Sequence, residues 1–326
     1  MKNRSRLSFF DSAKGFAIFS VILAHLNTFL DLENLHLAYI IQSYFMPMFF
    51  FISGYFCYKQ SDLDYLLFLK KKFKQRIIPY VTSCLGICIV YSLIFNVNLF
   101  NRYIFDSSKG GYWFLIVLFV FCNLYVICHK ITCSIKSNIR KNMLFFLLLI
   151  FVYLIFCVLP LLVSVDTSYL FSLPELRRFF PAFAFGMLFK ILSSSIDIWN
   201  YKSTLLSAII YFSLLIYGYN DKTIIGFFIW MIVSIAACVF YLNLFKKINI
   251  FMPIFISYGR NSLGIYIYHY IFIYILKAIV PVSLFSELPT GIIMFVFIVL
   301  TVGVAELSEL MIRLTYKLKL KFLIGA

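Results

Sequence analysis

Lys14 and His25 are the first residues in the sequence whose types and spacing could support chemistry. They stand eleven residues apart in an otherwise largely apolar run, FFDSAKGFAIFSVILAHLNTFL. Eleven residues rise about 16 Å along an α-helix and turn about 20° beyond three full turns, so the two side chains share a face at different depths. A lysine at the end of a membrane helix suits a phosphate group, whereas a buried imidazole suits proton transfer or nucleophilic chemistry.

Both residues also have ordinary explanations. Lys14 can extend its side chain toward lipid headgroups, and His25 can form a hydrogen bond with a neighbouring helix. Asp11, three residues before Lys14, either pairs with it or lies in the first helical turn because the helix dipole favours an anion there. The sequence leaves these alternatives open.

A second histidine, His269, ends a polar stripe in the run GRNSLGIYIYHY. Ser262, Tyr266 and His269 are spaced i, i+4, i+7 on one helix face, which begins at Asn261 as the candidate N-cap. His269 lies about 12 Å along the helix from Asn261, which predicts nearly the same depth as His25. A purely structural hydrogen bond between tyrosine and histidine is the alternative.

Two glutamates in the last apolar run are candidate partners for an imidazole. Glu306 and Glu309 are spaced i, i+3, and Glu306 is the deeper of the two. A carboxylate that accepts a hydrogen bond from one ring nitrogen orients a catalytic histidine. The candidate catalytic residues are therefore His25, His269 and Glu306.

A basic cluster, KKKFKQRIIPY at 70–80, precedes the third apolar run. We interpret it as a cytoplasmic loop that ends at Pro79, near a helix start, where the missing backbone donor does least harm. The cluster either attracts anionic lipid headgroups, at about 1 kcal/mol per charge, or holds a polyanionic ligand. Lys72, Lys74 and Arg76 are the candidates for ligand contact.

The second apolar run, YFMPMFFFISGYFCYK, contains Pro47 and the small pair Ser53 and Gly54. Proline removes a backbone donor and loosens the helix, and small residues let another helix approach closely. Packing alone would explain both features.

Three further candidates lie on the side of the membrane that is predicted to carry few charges. Trp113 opens the fourth apolar run at the depth where aromatic belts form. Arg177 and Arg178 are exceptions to the charge asymmetry between the two sides. Either they bind an anionic or hydroxylated ligand, or they pair with Glu175.

The composition requires a membrane to house these residues. Of the 326 residues, 63% are hydrophobic and 13% are charged, which excludes an ordinary soluble domain. Apolar runs recur along the whole chain, so we expect one all-α membrane domain over 1–326 with no appended soluble domain. The ten predicted spans are 12–30, 38–57, 78–97, 112–129, 143–163, 177–192, 204–219, 223–244, 261–281 and 290–312.

The net charge of +16 does not indicate nucleic-acid binding, because the basic residues cluster in alternate loops between the predicted spans. Segments at alternate loops hold 23 of the 29 Lys and Arg residues. This asymmetry is the positive-inside rule, and it predicts a polytopic bundle with both termini in the cytoplasm.

Taken in order, five motifs resemble those of the membrane-bound acyltransferase-3 family. They are the basic residue and histidine of the first run, FMPMFFFISGYF, the basic run before RIIPY, YWFL, and GRNSLGIYIYH. The family often has arginine where Lys14 stands, and a basic residue where Phe73 stands, so this chain departs from the family's pattern at both positions.

The resemblance implies transfer of an acyl group, commonly acetyl, from cytoplasmic acetyl-coenzyme A to a hydroxyl group. The acceptor would be a cell-envelope or capsular polysaccharide or its lipid-linked precursor, and the enzyme would lie in the inner membrane. His25 would act as general base or be acetylated transiently. No metal is expected. The implied donor contacts are Lys14, Lys72, Lys74, Arg76, Ser53, Asn261 and Tyr266, and the implied acceptor contacts are Trp113, Arg177 and Arg178.

A proton-coupled transporter or flippase for a glycolipid or small anion is the competing class. It would use the same buried ionisable groups as a proton relay. The sequence shows no internal repeat of the kind that many transporters have, which favours acyl transfer.

Overall fold

The computed structural model of the chain describes residues 8–29, 37–59, 64–96, 100–193, 197–247, 252–281, 285 and 289–325. Within these ranges every regular element is a helix. The α-helices are α1 Ser8–Phe29, α2 Leu37–Gln42, α3 Phe45–Cys57, α4 Tyr65–Phe95, α5 Phe100–Phe105, α6 Trp113–Cys133, α7 Asn138–Leu162, α8 Val165–Leu170, α9 Leu173–Leu192, α10 Tyr201–Tyr217, α11 Ile224–Lys247, α12 Met252–Arg260, α13 Ser262–Ile279 and α14 Thr290–Lys317. Two 3₁₀ turns cover Lys109–Gly111 and Lys321–Ile324.

Eight helical segments within the described part of the chain are long and apolar enough to cross a membrane. They are α1, the stretch Tyr39–Cys57, α4, α6, α7, α11, α13 and α14. Helices also occupy the two other predicted spans, but α9 carries four charged residues and α10 has 17 residues. An all-helical membrane protein is confirmed, while ten crossings and two cytoplasmic termini stay predictions.

The prediction of a loop at 70–80 was wrong. α4 begins at Tyr65, where the Asp64 side chain caps the helix by accepting a hydrogen bond from the Leu67 amide at 3.1 Å. The basic cluster therefore lies on the first turns of a 31-residue helix. Pro79 lies inside this helix and not near its start, so the carbonyl of Gln75 loses its usual donor. Arg76 Nη1 approaches that carbonyl at 3.5 Å.

The second predicted span consists of two helices, because the chain turns at Ser43 and Tyr44 between α2 and α3. Pro47 is the third residue of α3. In the first turn of a helix the amide has no intrahelical partner, so proline is tolerated there.

One compact unit comprises residues up to Phe49 together with Ser193–Lys319. α1 runs through this unit and packs against α11, α12, α13 and α14. Gly15 and Gly259 make the contact of α1 with α12 close, because an added Cβ would lie 1.9 Å from the Phe255 carbonyl oxygen and 1.7 Å from that of Asp11. A separate apolar cluster lies at α10 and α11 and includes Ile41, Tyr44, Tyr211, Val233, Ala236 and Ala237.

The other compact unit comprises Phe50–Leu192 and the last residues of the chain. Here the end of α3 packs on α9 through two glycines, since a Cβ at Gly54 would lie 2.0 Å from the Phe183 carbonyl oxygen. In the same way, a Cβ added at Gly186 would lie 2.0 Å from the Phe51 carbonyl oxygen. The predicted close approach of a helix at Gly54 is confirmed.

Candidate functional site

The two predicted histidines meet inside the first unit. α1 carries His25 and α13 carries His269, and their ring centroids are 5.5 Å apart. Tyr270, the next residue on α13, places its hydroxyl 2.9 Å from His25 Nε2. The two histidines therefore lie side by side, and their depth in a membrane stays a prediction.

His269 is fixed in one tautomer by its own helix. Its Nδ1 lies 2.8 Å from the Tyr266 carbonyl oxygen and 3.2 Å from that of Ile265. A carbonyl can only accept, so Nδ1 carries the proton and Nε2 presents a lone pair. The side chain is fully buried, and among the described residues Nε2 has no hydrogen-bond partner. His269 therefore has an acceptor nitrogen that no other described residue uses.

The two glutamates bind other groups than the histidines. The Tyr258 hydroxyl donates to Glu306 at 2.7 Å. Glu309 accepts from Ser257 at 2.8 Å and from the Asn261 amide at 3.1 Å. The prediction that a carboxylate orients His269 was wrong, because backbone carbonyls already satisfy its Nδ1. Asn261 holds the N-cap position of α13, but its side chain makes no cap hydrogen bond.

At the start of α1, one buried carboxylate faces two cations. Lys14 Nζ lies 2.8 Å from Asp11 Oδ1, and Arg260 Nε lies 3.9 Å from Asp11 Oδ2. Of the two explanations offered for Asp11, pairing with Lys14 is therefore confirmed. Asp11 is only 3% exposed, whereas the side chains of Lys14 and Arg260 are 24% and 55% exposed.

In the second unit, three of the predicted donor contacts lie on α4 and one lies on α3. Lys72 lies over the Phe68 ring at 5.2 Å, and Lys74 is exposed. Arg76 is half-buried, and its Nε has no hydrogen-bond partner among the described residues. Ser53 is half-buried on α3. An unpaired guanidinium nitrogen away from water favours an anionic ligand at this position.

Trp113 in the second unit is the partly exposed member of an aromatic stack. Its ring lies 4.9 Å from Phe179 at an interplanar angle of 24° and 6.0 Å from Phe50 at 27°. The Arg178 guanidinium carbon lies over the Phe179 ring, 5.9 Å from its centroid, and Arg177 is exposed. The stack holds the indole ring in one orientation.

A family model that describes an acyltransferase domain, acyltransferase-3, matches residues 7–307. The chain belongs to the acyltransferase-3 family. No curated protein and no solved structure gives a significant match. The resemblance inferred from the five motifs is thus confirmed, and family membership together with the apolar helical bundle indicates a membrane acyltransferase.

This acyltransferase-3 chain also buries a lysine that the sequence did not single out. Lys109 has a positive φ of 48°, is 2% exposed, and donates to the carbonyls of Ile104 and Tyr169. Burial lowers the pKa of Lys109, and nearby Glu175 partly opposes that shift. Burial likewise raises the pKa of Glu175, although a hydrogen bond from Ser107 acts against it. Glu175 therefore interacts with Lys109, and its pairing with the neighbouring arginines stays a prediction.

Sequence reasoning missed two residues of the first unit. Tyr270 was passed over in favour of Tyr266, because only the latter continues the polar stripe at helical spacing. Arg260 lies within the motif GRNSLGIYIYH, but the sequence assigns it no role. No group of three or more His, Cys, Asp or Glu side chains suited to a metal ion occurs among the described residues.

Proposed function

We propose that this membrane acyltransferase transfers an acetyl group from cytoplasmic acetyl-coenzyme A to a hydroxyl group. The acceptor class is a cell-envelope or capsular polysaccharide, or its lipid-linked precursor, and the site of action is the cytoplasmic membrane. The family supports acyl transfer over transport by a proton-coupled carrier or flippase. The single observation that carries the chemistry is the cluster of His25, Tyr270 and His269 within one unit.

The cluster supports two chemical routes. In the first, a histidine removes the proton from the acceptor hydroxyl, whose oxygen attacks the thioester carbonyl while the carbon–sulfur bond breaks. The proton then passes to the coenzyme A thiolate. In the second, His25 Nε2 attacks the thioester carbonyl, the carbon–sulfur bond breaks, and coenzyme A leaves as the thiolate. The acceptor oxygen then attacks the acetyl carbonyl, the bond from that carbon to Nε2 breaks, and the hydroxyl proton passes to the thiolate.

His269 complements His25 in either route. Its Nε2 lone pair is buried and has no partner in the described part of the chain, so it can accept a hydrogen bond from the incoming hydroxyl or from His25. Tyr270 holds the His25 ring by a direct hydrogen bond of 2.9 Å. Glu306 would then act through Tyr258 and not on an imidazole.

The donor is proposed to bind through its phosphate groups. Lys14 lies on α1 about 16 Å along the helix from His25, a spacing suited to a long molecule with a charged end and a reactive end. In the second unit, Lys72, Lys74 and Arg76 are further candidates for the nucleotide phosphates, with Ser53 on α3. Asn261 and Tyr266 on α13 are the remaining donor candidates, although Asn261 already donates to Glu309.

The acceptor is proposed to contact Trp113, Arg177 and Arg178. A flat aromatic face backed by two further rings gives the apolar side of a sugar ring a surface to pack on. Arginine donors can bind hydroxyl, carboxylate or phosphate groups of the same molecule.

Purified protein in lipid nanodiscs tests the proposal with radiolabelled acetyl-coenzyme A. Wild-type protein should release coenzyme A and label an envelope-glycan extract, while His25→Ala should lose both activities. His129→Gln, a buried histidine of the other unit, is the matched control and should retain them.

Two further measurements separate the routes and name the acceptor. A labelled protein intermediate that disappears in His25→Ala would select the acyl-histidine route. The mass of the envelope glycan with and without the gene should differ by one acetyl group per modified unit. Absence of coenzyme A binding and of acetyl turnover would reject the proposal and favour the transporter.

A further inference from the structure

Arg260 is a second cation beside Lys14. It is the last residue of α12, and the chain then bends at Asn261 into α13. Its guanidinium shares the Asp11 carboxylate with Lys14, at 3.9 Å and 2.8 Å respectively. The two cations are therefore neighbours in space although 246 residues separate them in the sequence.

Asp11 is more deeply buried than Lys14 and Arg260, so a ligand would meet the two cations first. The carboxylate is 5% exposed, whereas the Lys14 and Arg260 side chains are 24% and 55% exposed. One negative charge lies beneath two positive charges, so the accessible face is positive. A buried carboxylate within ion-pair distance of both cations also restricts the positions of two long side chains. A ligand that binds them then loses less side-chain entropy than one that must order free chains.

Backbone packing, and not the ion pair alone, sets the position of Arg260. Gly259 packs directly on the Asp11 carbonyl, and Gly15 packs on the Phe255 carbonyl. Neither contact leaves room for a side chain, so α12 lies as close to α1 as backbone atoms allow. Arg260, the residue after Gly259, is consequently held beside the first two turns of α1, where Asp11 and Lys14 lie.

We propose that Arg260 is a second phosphate-binding residue of the donor site and that Asp11 positions it beside Lys14. The pair would select a donor with at least two phosphate groups, since a planar guanidinium binds one phosphate with two donors while the ammonium binds another as a point charge. This inference rests on the proposed function, in which Lys14 binds the donor.

The same two cations would also attract the phosphate of a lipid headgroup. The test therefore compares soluble and lipid phosphates directly. Wild-type protein and Arg260→Gln are placed in nanodiscs of phosphatidylcholine alone and in discs that also contain phosphatidylglycerol. Arg313→Gln is the matched control, because Arg313 is another exposed arginine that faces a buried carboxylate, Glu309, at 3.7 Å.

Two donors separate phosphate binding from general damage. Arg260→Gln should raise KM for acetyl-coenzyme A about tenfold or more, the loss expected for a hydrogen bond to a charged group. It should leave kcat unchanged, and it should leave turnover of acetyl-pantetheine, which has no phosphate, unchanged as well. Arg260→Lys should recover part of the affinity, and Arg313→Gln should match wild type.

Three results would overturn the inference: an unchanged KM for acetyl-coenzyme A, an equal loss with acetyl-pantetheine, or an effect confined to discs with phosphatidylglycerol. Calorimetric binding of coenzyme A and of pantetheine to the same variants is measured in parallel. If the wild type binds coenzyme A without turnover, the proposed chemistry fails, and the binding difference between wild type and Arg260→Gln still decides the role of Arg260. If the wild type does not bind coenzyme A, both proposals fail.

Discussion

Gly259→Ala tests whether the contact between α1 and α12 holds the cationic group together. The added methyl group would stand 1.7 Å from the Asp11 carbonyl oxygen. A carbon–oxygen contact settles at about 3.3 Å or more. One helix must therefore move by about 1.6 Å, the difference between these two distances, because both partners are backbone atoms and neither can rotate away.

The movement has an energetic and a functional consequence. Overpacking of this kind destabilises a fold by about 1–3 kcal/mol. The Arg260–Asp11 distance is already 3.9 Å, so a shift of this size carries Arg260 out of ion-pair range, whereas Lys14, on the same helix as Asp11, keeps its pair. Affinity for the donor should fall while the pairing within α1 persists.

Gly303→Ala is the matched control for this substitution. Gly303 lies on α14, and an added Cβ there meets nothing within 4 Å. Alanine in an open helical position stabilises by about 0.5–1 kcal/mol relative to glycine. Thermal unfolding in one detergent should place Gly259→Ala below wild type and Gly303→Ala at or above it. Equal melting temperatures for the two variants would refute the packing argument.

Three other substitutions follow from the same contacts. Tyr270→Phe removes the hydroxyl 2.9 Å from His25 Nε2 and should lower kcat/KM for acetyl transfer about tenfold, as loss of a buried hydrogen bond predicts; full activity would contradict it. Asp11→Asn should raise KM for acetyl-coenzyme A because Lys14 loses its partner, and a lower KM would mean that the carboxylate mainly repels the donor. Glu175→Gln should flatten the dependence of melting temperature on pH: a raised pKa adds stability below the ordinary pKa of glutamate that is lost as pH rises through the raised value. Parallel curves for wild type and Glu175→Gln would exclude this contribution.

Helix periodicity predicted a shared depth for the two histidines and not their contact. Lys14 and His25 share a face by arithmetic alone, and a similar count along α13 predicted that His269 lies near the depth of His25. The centroid separation of 5.5 Å between the two imidazole rings is compatible with that count, but it also depends on which helices are neighbours. The close approach at Gly54 was predictable for a related reason, since small residues in apolar helices mark close neighbours.

Other contacts depend on how far one helix is rotated and shifted against another, which spacing does not encode. Tyr270 reaches His25 although it stands one residue outside the predicted stripe, a rotation of about 100° on the helix. Arg260 meets Asp11 because two glycines bring α12 onto α1, and neither glycine is distinctive in the sequence. The predicted start of α4 was wrong because the first turns of this helix are basic. A prediction from apolar content alone cannot detect the part of a helix that extends beyond the apolar layer.

Polar groups in apolar helices inform about function only when their own helix cannot satisfy them. The hydroxyls of Thr28, Thr301 and Ser308 each donate to the carbonyl four residues earlier, at 3.1, 2.7 and 2.7 Å. Such residues need no partner and mark no site. A histidine has two nitrogens on opposite sides of a rigid ring, so its helix can satisfy only one of them. His269 uses Nδ1 in this way, and its buried Nε2 has no hydrogen-bond partner among the described residues. In a membrane interior that lacks water, this second nitrogen is the reason that a histidine pair indicates chemistry where a row of serines and threonines does not.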